Sequence, residues 1–191
     1  MSYRSRTTRL VVAAATVAVL VGCGASAEPH APPPGASAGN PSAQLPEQSV
    51  GRWSGVAFEK VMYGRLKCPD FAEAAGKAEV SATRYADLTS DGRPEAVVAG
   101  ACYSSTAANP TQVLVFDGAQ PGPDPSPLIA IGGDQQLIDA SITLAGATVT
   151  ITSAALSDEA PHCCPDLRIV QTYAWRDGAF ARTGLTKGPA S

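Results

Sequence analysis

The feature that most constrains the fold is an alternation of apolar and polar residues between Ile138 and Ile151. Successive side chains of a β-strand point to opposite faces, so such an alternation gives a strand one apolar and one polar face. The pattern pauses at Ala145-Gly146, where the chain can turn. We therefore expect a β-hairpin with one buried and one solvent-facing side. The apolar positions are Ile138, Ala140, Ile142, Leu144, Val149 and Ile151.

A second hairpin is expected near the C-terminus, where residues 168–175 and 180–183 flank Asp177-Gly178. A glycine next to an aspartate suits the positive φ angles of a tight hairpin turn. Three continuous apolar runs lie upstream, and their lengths are typical of buried strands. These runs are residues 95–101, 112–116 and 128–131.

The first third of the domain gives weaker signals. Residues 79–88 predict a strand whose small apolar face is interrupted by Arg84, and residues 70–75 predict a short helix. Residues 56–66 fit either a helix or a strand. Together these segments predict a mainly β fold. It would consist of an antiparallel sheet of hairpins, with one or two short N-terminal helices that cover one face. The pattern also allows an α+β arrangement and closure of the sheet into a barrel.

The N-terminal segment has the layout of an export signal. Three arginines between positions 4 and 9 precede an apolar stretch of about 12 residues, which is shorter than the roughly 20 that span a bilayer. Leu20 and Gly22 precede Cys23 in a pattern that resembles the lipobox of bacterial lipoproteins. That pattern implies cleavage before Cys23 and a lipid on its sulfur. We expect residues 1–22 to be a signal peptide and Cys23 to hold the protein at the extracytoplasmic face of the cell membrane.

The segment after the signal differs in composition from the rest of the chain. Residues 23–50 consist largely of alanine, proline, serine and glycine, with three prolines in succession at 32–34. Such a segment cannot bury enough apolar surface to offset the entropy of ordering it. We therefore expect a disordered tether that begins at the lipidated Cys23. Residues 51–191 would then form a single β-rich extracytoplasmic domain.

Charge excludes one class of partner. Residues 1–22 carry three arginines and no acidic residue, so the formal charge of −3 becomes −6 once they are removed. Nucleic-acid binding depends on clustered Lys and Arg that neutralise phosphates. The sequence contains no run of Lys or Arg, so we expect no nucleic-acid partner.

Four cysteines remain for the exported domain, namely Cys68, Cys102, Cys163 and Cys164. Four cysteines in an oxidising compartment indicate two disulfides, for which three connectivities exist. Neighbouring Cα atoms lie about 3.8 Å apart, whereas disulfide-bonded residues usually have Cα atoms about 4.4–6.8 Å apart. We therefore expect each member of the adjacent pair to bond to either Cys68 or Cys102. Such a double clamp would tie the loop before the last hairpin to the N-terminal half of the domain.

Two groups of residues offer alternative metal sites. Asp87, Asp91 and Glu95 lie in a segment that resembles the calcium loops of EF-hands and β-propeller hairpins, although Thr89 replaces an expected Asn or Asp. Calcium takes six to eight oxygen ligands, more than this segment supplies. The preferred interpretation is a hairpin turn at Asp91-Gly92, with Asp87 and Glu95 solvated or capping the backbone.

The second group is His162 with Cys163 and Cys164, near three acidic residues between positions 158 and 166. Nitrogen, sulfur and oxygen ligands suit zinc or copper. Adjacent side chains point apart in an extended chain, and the spacing of a C-x₂-C motif is missing. Structural disulfides are therefore preferred, with a metal site and a redox-active cysteine pair as alternatives.

Three segments resemble the LppP/LprE lipoproteins of mycobacteria and related actinobacteria. The resemblance covers roughly residues 109–185 together with the lipobox, and the Cys163-Cys164-Pro165 motif ahead of a strand is its most specific part. That family consists of surface lipoproteins without an assigned reaction. The resemblance thus implies a location and a kind of fold, and it brings no catalytic residue. Its segments are 109–117, 125–129 and 162–165.

The sequence nominates no catalytic group. A nucleophile needs a neighbouring base, and the domain holds one histidine, His162, and no G-x-S-x-G motif. We expect a non-enzymatic, lipid-anchored envelope protein that binds another envelope protein or a cell-wall component. The alternative is an envelope module that binds calcium, zinc or copper. We expect no cofactor beyond the lipid on Cys23.

Overall fold

The computed structural model describes residues 51–70, 72–104, 110–132, 136–161 and 163–190. Within these ranges the protein is mainly β, with one α-helix and two short 3₁₀ turns ahead of eight strands. The elements are the 3₁₀ turns Gly51–Trp53 and Ala72–Ala74, helix α1 Phe58–Leu66, and strands β1 Glu79–Ala86, β2 Glu95–Ala101, β3 Gln112–Phe116, β4 Pro127–Ile131, β5 Ile138–Ala145, β6 Thr148–Ala155, β7 Leu167–Arg176 and β8 Ala179–Pro189.

The predicted fold class is confirmed, and the ambiguous segment 56–66 is resolved as helix. Helix α1 buries Phe58, Val61 and Met62, which recur at the three- and four-residue spacing of one helical face. The helix ends at Lys67, whose left-handed backbone (φ 54°) turns the chain. Helix α1 is only nine residues long, so packing against the sheet, rather than intrinsic propensity, stabilises it.

The strands form two antiparallel sheets rather than one. The first sheet has the order β1-β2-β3-β4, and the second has the order β5-β6-β7-β8. The chain passes between them near Gly132, where the N–H of Thr111 donates to the carbonyl of Leu137 over 2.6 Å. A Cβ added to Gly132 would lie 2.9 Å from Leu137 Cδ1. The φ of +108° at this position would also be strained for any residue other than glycine. Only glycine therefore fits this crossing.

Strand β2 is buried on both faces. Its first six residues are all buried, and the side chains from Ala96 to Ala99 alternate between two apolar clusters. Ala96 and Val98 pack in the cluster beneath helix α1, and Val97 and Ala99 pack in the cluster shared with the second sheet. The described domain therefore has three layers: α1, the first sheet and the second sheet.

Aromatic residues dominate the layer beneath the helix. The Phe58 ring lies 5.7 Å from the Trp53 ring and 5.8 Å from the Phe116 ring, centroid to centroid. The indole N–H of Trp53 donates to the carbonyl of Pro94 over 2.9 Å. That hydrogen bond satisfies the polar atom of a buried tryptophan and attaches the start of the domain to the residue before β2.

The interior between the sheets contains one polar pair on β7. The hydroxyl of Tyr173 donates to Oε1 of Gln171 over 2.6 Å, and Gln171 is fully buried. Among the described residues, Nε2 of Gln171 has no hydrogen-bond partner. A buried donor without a partner costs about 1–3 kcal/mol, so this position is polar at the expense of stability.

We predict that Tyr173→Phe alone destabilises the domain and that adding Gln171→Leu recovers most of the loss. The single substitution leaves Oε1 of Gln171 without its hydroxyl donor, at a cost of about 1–3 kcal/mol, whereas removing both partners is close to neutral. Urea unfolding of the wild type and both variants gives the comparison. A double variant less stable than Tyr173→Phe would show that the Gln171 amide contributes net stability.

Candidate functional site

The first disulfide joins Cys68 to Cys102. Cys68 follows the end of α1, and its N–H donates to the carbonyl of Tyr63; Cys102 follows the end of β2. The sulfur atoms are bonded at 2.04 Å, and the Cα atoms are 5.3 Å apart. The bond therefore fastens the helix to the strand on which it packs.

The second disulfide joins the neighbours Cys163 and Cys164, whose Cα atoms are 3.8 Å apart. The expectation that each would bond to Cys68 or Cys102 is therefore wrong. The physical reason is the layering of the fold. Cys68 and Cys102 close the helical layer onto the first sheet, whereas the loop of Cys163 connects β6 to β7 of the second sheet.

The segment 87–95 is a turn organised by its own carboxylates. The Asp87 carboxylate accepts from the N–H groups of Asp91 (3.1 Å) and Gly92 (3.0 Å). The Asp91 carboxylate accepts from the backbone N–H (2.8 Å) and Nε (3.0 Å) of Arg93. Asp87 therefore caps backbone N–H groups of the turn, which is one of the two roles that the sequence predicts for it.

Glu95 is the fully buried member of this group. Its Oε2 accepts from the N–H groups of Leu88 (2.6 Å) and Thr89 (3.1 Å), and its Oε1 accepts from the Thr89 hydroxyl and the Gly118 N–H. Burial raises the pKa of Glu95 above its usual value, and this outweighs the hydrogen bonds, which lower it. The carboxylate serves as an internal acceptor that joins the 87–92 turn to the chain after β3.

Sequence reasoning missed the burial of Glu95. The available signal was its position at the start of an unbroken apolar run, which extends from Ala96. A charged residue there is either solvated at a strand end or buried with partners, and one sequence does not separate the two. Its donors come from Leu88, Thr89 and Gly118, and Gly118 is 23 positions away.

The proposed metal ligands are not gathered into a site within the described residues. No group of three or more His, Cys, Asp or Glu side chains there has the arrangement of a metal centre. The carboxylates of Asp87, Asp91 and Glu95 each bond to backbone N–H groups nearby. His162 lies outside the described residues, as does the predicted lipidation site Cys23.

We predict that Glu95→Ala lowers the free energy of unfolding by about 3 kcal/mol or more, because several buried donors lose their acceptor at once. The matched control is Asp87→Ala, which removes two exposed hydrogen bonds and should cost about 1 kcal/mol. Equilibrium urea unfolding measures both. Equal losses would contradict the assigned role of Glu95.

The raised pKa of Glu95 also predicts a pH dependence. At pH values below the usual pKa of 4.5, Glu95 is protonated in both the folded and the unfolded state. As pH rises from there through the folded-state pKa, the unfolded state ionises first, so the free energy of unfolding falls. Glu95→Gln removes this decline. The test is the difference in unfolding free energy between wild type and Glu95→Gln from pH 4 to 8; a difference that grows in favour of the wild type would contradict the prediction.

The outer face of the second sheet is rich in hydroxyl groups. Cross-strand pairing sets Thr143, Thr150 and Thr172 in one row, and it sets Ser141 and Thr152 in the next. No described helix or strand covers these side chains, which are half-buried or exposed. Together with Thr186, opposite Val170 in the second row, these residues define what we call the hydroxyl face: Ser141, Thr143, Thr150, Thr152, Thr172 and Thr186.

The two rows of the hydroxyl face carry no charged side chain. Charge appears at one end of the face, where Asp139 and Arg168 border a shallow depression of about 280 Å³. Threonine offers a methyl group and a hydroxyl that both donates and accepts. The face can therefore make apolar contacts and hydrogen bonds with an uncharged surface.

A second concave surface lies beside the Cys68–Cys102 disulfide. This cleft has a volume of about 350 Å³, and Leu66, Lys67, Tyr103 and Gln112 are among its lining residues. It presents the phenol ring of Tyr103 and the ammonium group of Lys67. The cleft is large enough for a small molecule, and its lining combines apolar residues with the polar side chains of Lys67, Tyr103 and Gln112.

Two of the four edge strands, β4 and β8, carry features that oppose pairing with another strand. Strand β4 has five residues and begins at Pro127. Its pairing with β3 is irregular at Phe116. Strand β8 carries Arg182, Lys187 and Pro189, and its pairing with β7 contains a bulge. Charges, proline and bulges are features that oppose edge-to-edge association. Partners are therefore expected at a face rather than at these two edges.

Comparison with known proteins identified no matching family, curated protein or solved structure. Among the described residues, no helix is long and apolar enough to cross a membrane.

Proposed function

We propose that this chain is a lipid-anchored bacterial envelope protein, without enzymatic activity, whose domain binds an envelope protein or a cell-wall component. The observation that carries the binding role is the open hydroxyl face of the second sheet. On the other outer side of the domain α1 packs on the first sheet, and edge strands β4 and β8 are protected as described above.

The chemistry of the hydroxyl face favours a broad, uncharged partner. Neighbouring strands lie about 4.7–4.9 Å apart, so its cross-strand hydroxyls form closely spaced rows. The centre of the face, at Thr150 and Thr172, offers no charge whose desolvation would oppose association. Short side chains also lose little conformational freedom when a partner covers them.

The proposed location rests on the sequence. The basic segment, the short apolar stretch and the residues Leu20, Gly22 and Cys23 match the order of a lipoprotein signal. The composition of residues 23–50 favours a tether with a coil span of about 25–30 Å. A domain held in this way could reach a partner in the envelope while its lipid stays in the membrane. The resemblance to LppP/LprE lipoproteins agrees with this location. Membership of that family is itself a prediction.

Within the part of the chain that the structure describes, no arrangement of side chains favours the alternative function, binding of calcium, zinc or copper. The oxygens of Asp87, Asp91 and Glu95 that a calcium ion would need accept hydrogen bonds from the protein. The sulfurs of Cys163 and Cys164 are bonded to each other, whereas zinc and copper bind the thiolate form. Binding of a partner through the hydroxyl face is therefore the function that we propose.

We predict that Cys23→Ala prevents lipidation and leaves the protein unprocessed or released from the membrane. The thiol is the attachment point in the lipobox interpretation, and alanine offers no nucleophile. Metabolic labelling with a fatty acid, followed by fractionation of the producing cells, measures both effects. Cys68→Ala is the control because it removes a disulfide-bonded cysteine of the domain and leaves Cys23 in place. Normal maturation and membrane attachment of Cys23→Ala would contradict the proposed anchor.

We predict that a photo-crosslinking amino acid at Thr172 captures a discrete partner in intact envelopes, whereas the same amino acid at Lys60 does not. Lys60 is an exposed residue on α1, which makes it a matched control. Introducing Thr150→Glu should reduce capture at Thr172 about tenfold or more, because a charge would be buried in the interface. The readout is the yield of the crosslinked band from full-length, membrane-bound protein.

Two outcomes would contradict the role of the hydroxyl face. One is the same crosslinked species from Lys60 and Thr172, which indicates contact without a specific surface. The other is unchanged capture in the Thr150→Glu variant. Thermal unfolding of that variant accompanies the experiment, so that a loss of capture is not confused with a loss of fold.

A further inference from the structure

The Cys163–Cys164 disulfide closes no loop of the chain, because the two residues are neighbours. Cross-links stabilise folded proteins mainly by closing loops in the unfolded chain, and the effect grows with loop length. The Cys68–Cys102 disulfide spans 34 positions and meets this description. The adjacent pair does not, so its purpose has to be sought outside the stability of the fold.

The loop that carries the adjacent pair is closed by hydrogen bonds instead. The Asp166 carboxylate accepts from the N–H (2.8 Å) and hydroxyl (2.7 Å) of Ser157. The Asp166 N–H donates to the carbonyl of Ala155, and the Asp166 carbonyl accepts from the N–H of Ala190. The hydrogen bonds from Ser157 lower the pKa of Asp166, so its carboxylate is ionised at neutral pH. None of these hydrogen bonds involves Cys163 or Cys164.

The two disulfides also differ in exposure. Cys163 and Cys164 are both exposed, whereas Cys68 and Cys102 are half-buried, and Cys68 packs against the apolar cluster beneath α1. A thiolate must reach a sulfur atom in order to exchange with a disulfide, and exposed disulfides are the labile ones in proteins. A reductant therefore has access to the adjacent pair before it has access to the other disulfide.

From this arrangement we propose that Cys163–Cys164 is a reversible modification site, which dithiol reductants open while the Cys68–Cys102 disulfide stays closed. It is independent of the proposed binding role of the hydroxyl face. The proposed exchange partner is a protein or small molecule that carries two thiols, which are oxidised to a disulfide as Cys163–Cys164 takes up two electrons.

The exchange takes two steps. A thiolate of the reductant attacks one sulfur of the pair, forming a mixed disulfide, and the other cysteine leaves as a thiolate and takes up a proton. The second thiolate of the reductant then attacks the mixed disulfide, closes into a cyclic disulfide and releases the second cysteine, which is protonated in turn. The product is a vicinal dithiol on a loop whose base is still held by Asp166 and Ser157.

The test uses the full-length protein, solubilised in detergent and treated with increasing concentrations of dithiothreitol before thiols are blocked with iodoacetamide. Cleavage before aspartates releases residues 158–165, so the adjacent pair is separated from Cys68 and Cys102 for mass spectrometry. Before reduction, this peptide should be lighter by two hydrogens than the form with two free thiols. We expect Cys163 and Cys164 to be alkylated at a dithiothreitol concentration about tenfold or more below that which opens Cys68–Cys102.

Two variants keep the outcome interpretable. Cys163→Ser/Cys164→Ser should retain the wild-type melting temperature, because its loop is held by hydrogen bonds. Cys68→Ser/Cys102→Ser should melt several degrees lower. Removal of dithiothreitol by dialysis in air should restore the lighter peptide 158–165 in the wild type.

Three results would overturn the proposal. The first is a peptide that links Cys163 or Cys164 to Cys68 or Cys102. The second is simultaneous reduction of both disulfides, which would show that exposure gives no selectivity. The third is loss of the folded circular-dichroism signal when the adjacent pair alone is alkylated, because the disulfide would then be a structural element.

Discussion

The rest of the structure depends on a strand that is buried on both faces. Ala96 and Val98 of β2 pack beneath helix α1, while Val97 and Ala99 pack against the second sheet. A short domain has limited apolar surface, and a central strand that serves two clusters lets one run of residues stabilise two interfaces. Strand β2 therefore contributes to both apolar clusters, while the neighbouring strands add further residues to each.

Both ends of β2 are anchored by contacts that differ in chemistry. At its start, Glu95 accepts hydrogen bonds from Leu88, Thr89 and Gly118, and the preceding Pro94 accepts one from the Trp53 indole. After its end, a disulfide connects the chain to the segment that follows α1. These contacts are directional or covalent, so they fix a register that nonpolar packing alone leaves loosely defined.

The three-layer arrangement decides which surface remains available. Helix α1 covers one side of the first sheet, and the second sheet covers the other, so the outer side of the second sheet faces solvent. That side bears the threonines around Thr150 and Thr172, and the loop with Cys163 and Cys164 lies between two of its strands. Recognition and redox exchange are therefore both proposed for the part of the protein farthest from the helix, by way of different residues.

The sequence by itself determined the strands, because alternation such as that from Ile138 to Ile151 depends only on the two-residue period of a strand. It also predicts an export signal over residues 1–22, directly before Cys23. Tertiary structure alone decided that the hairpins form two sheets, that residues 56–66 are helical, that Glu95 is buried and that Cys163 bonds to its neighbour. These outcomes depend on which segments, distant in sequence, come into contact, as Gly118 does with Glu95. The local pattern of residues contains no information about such contacts.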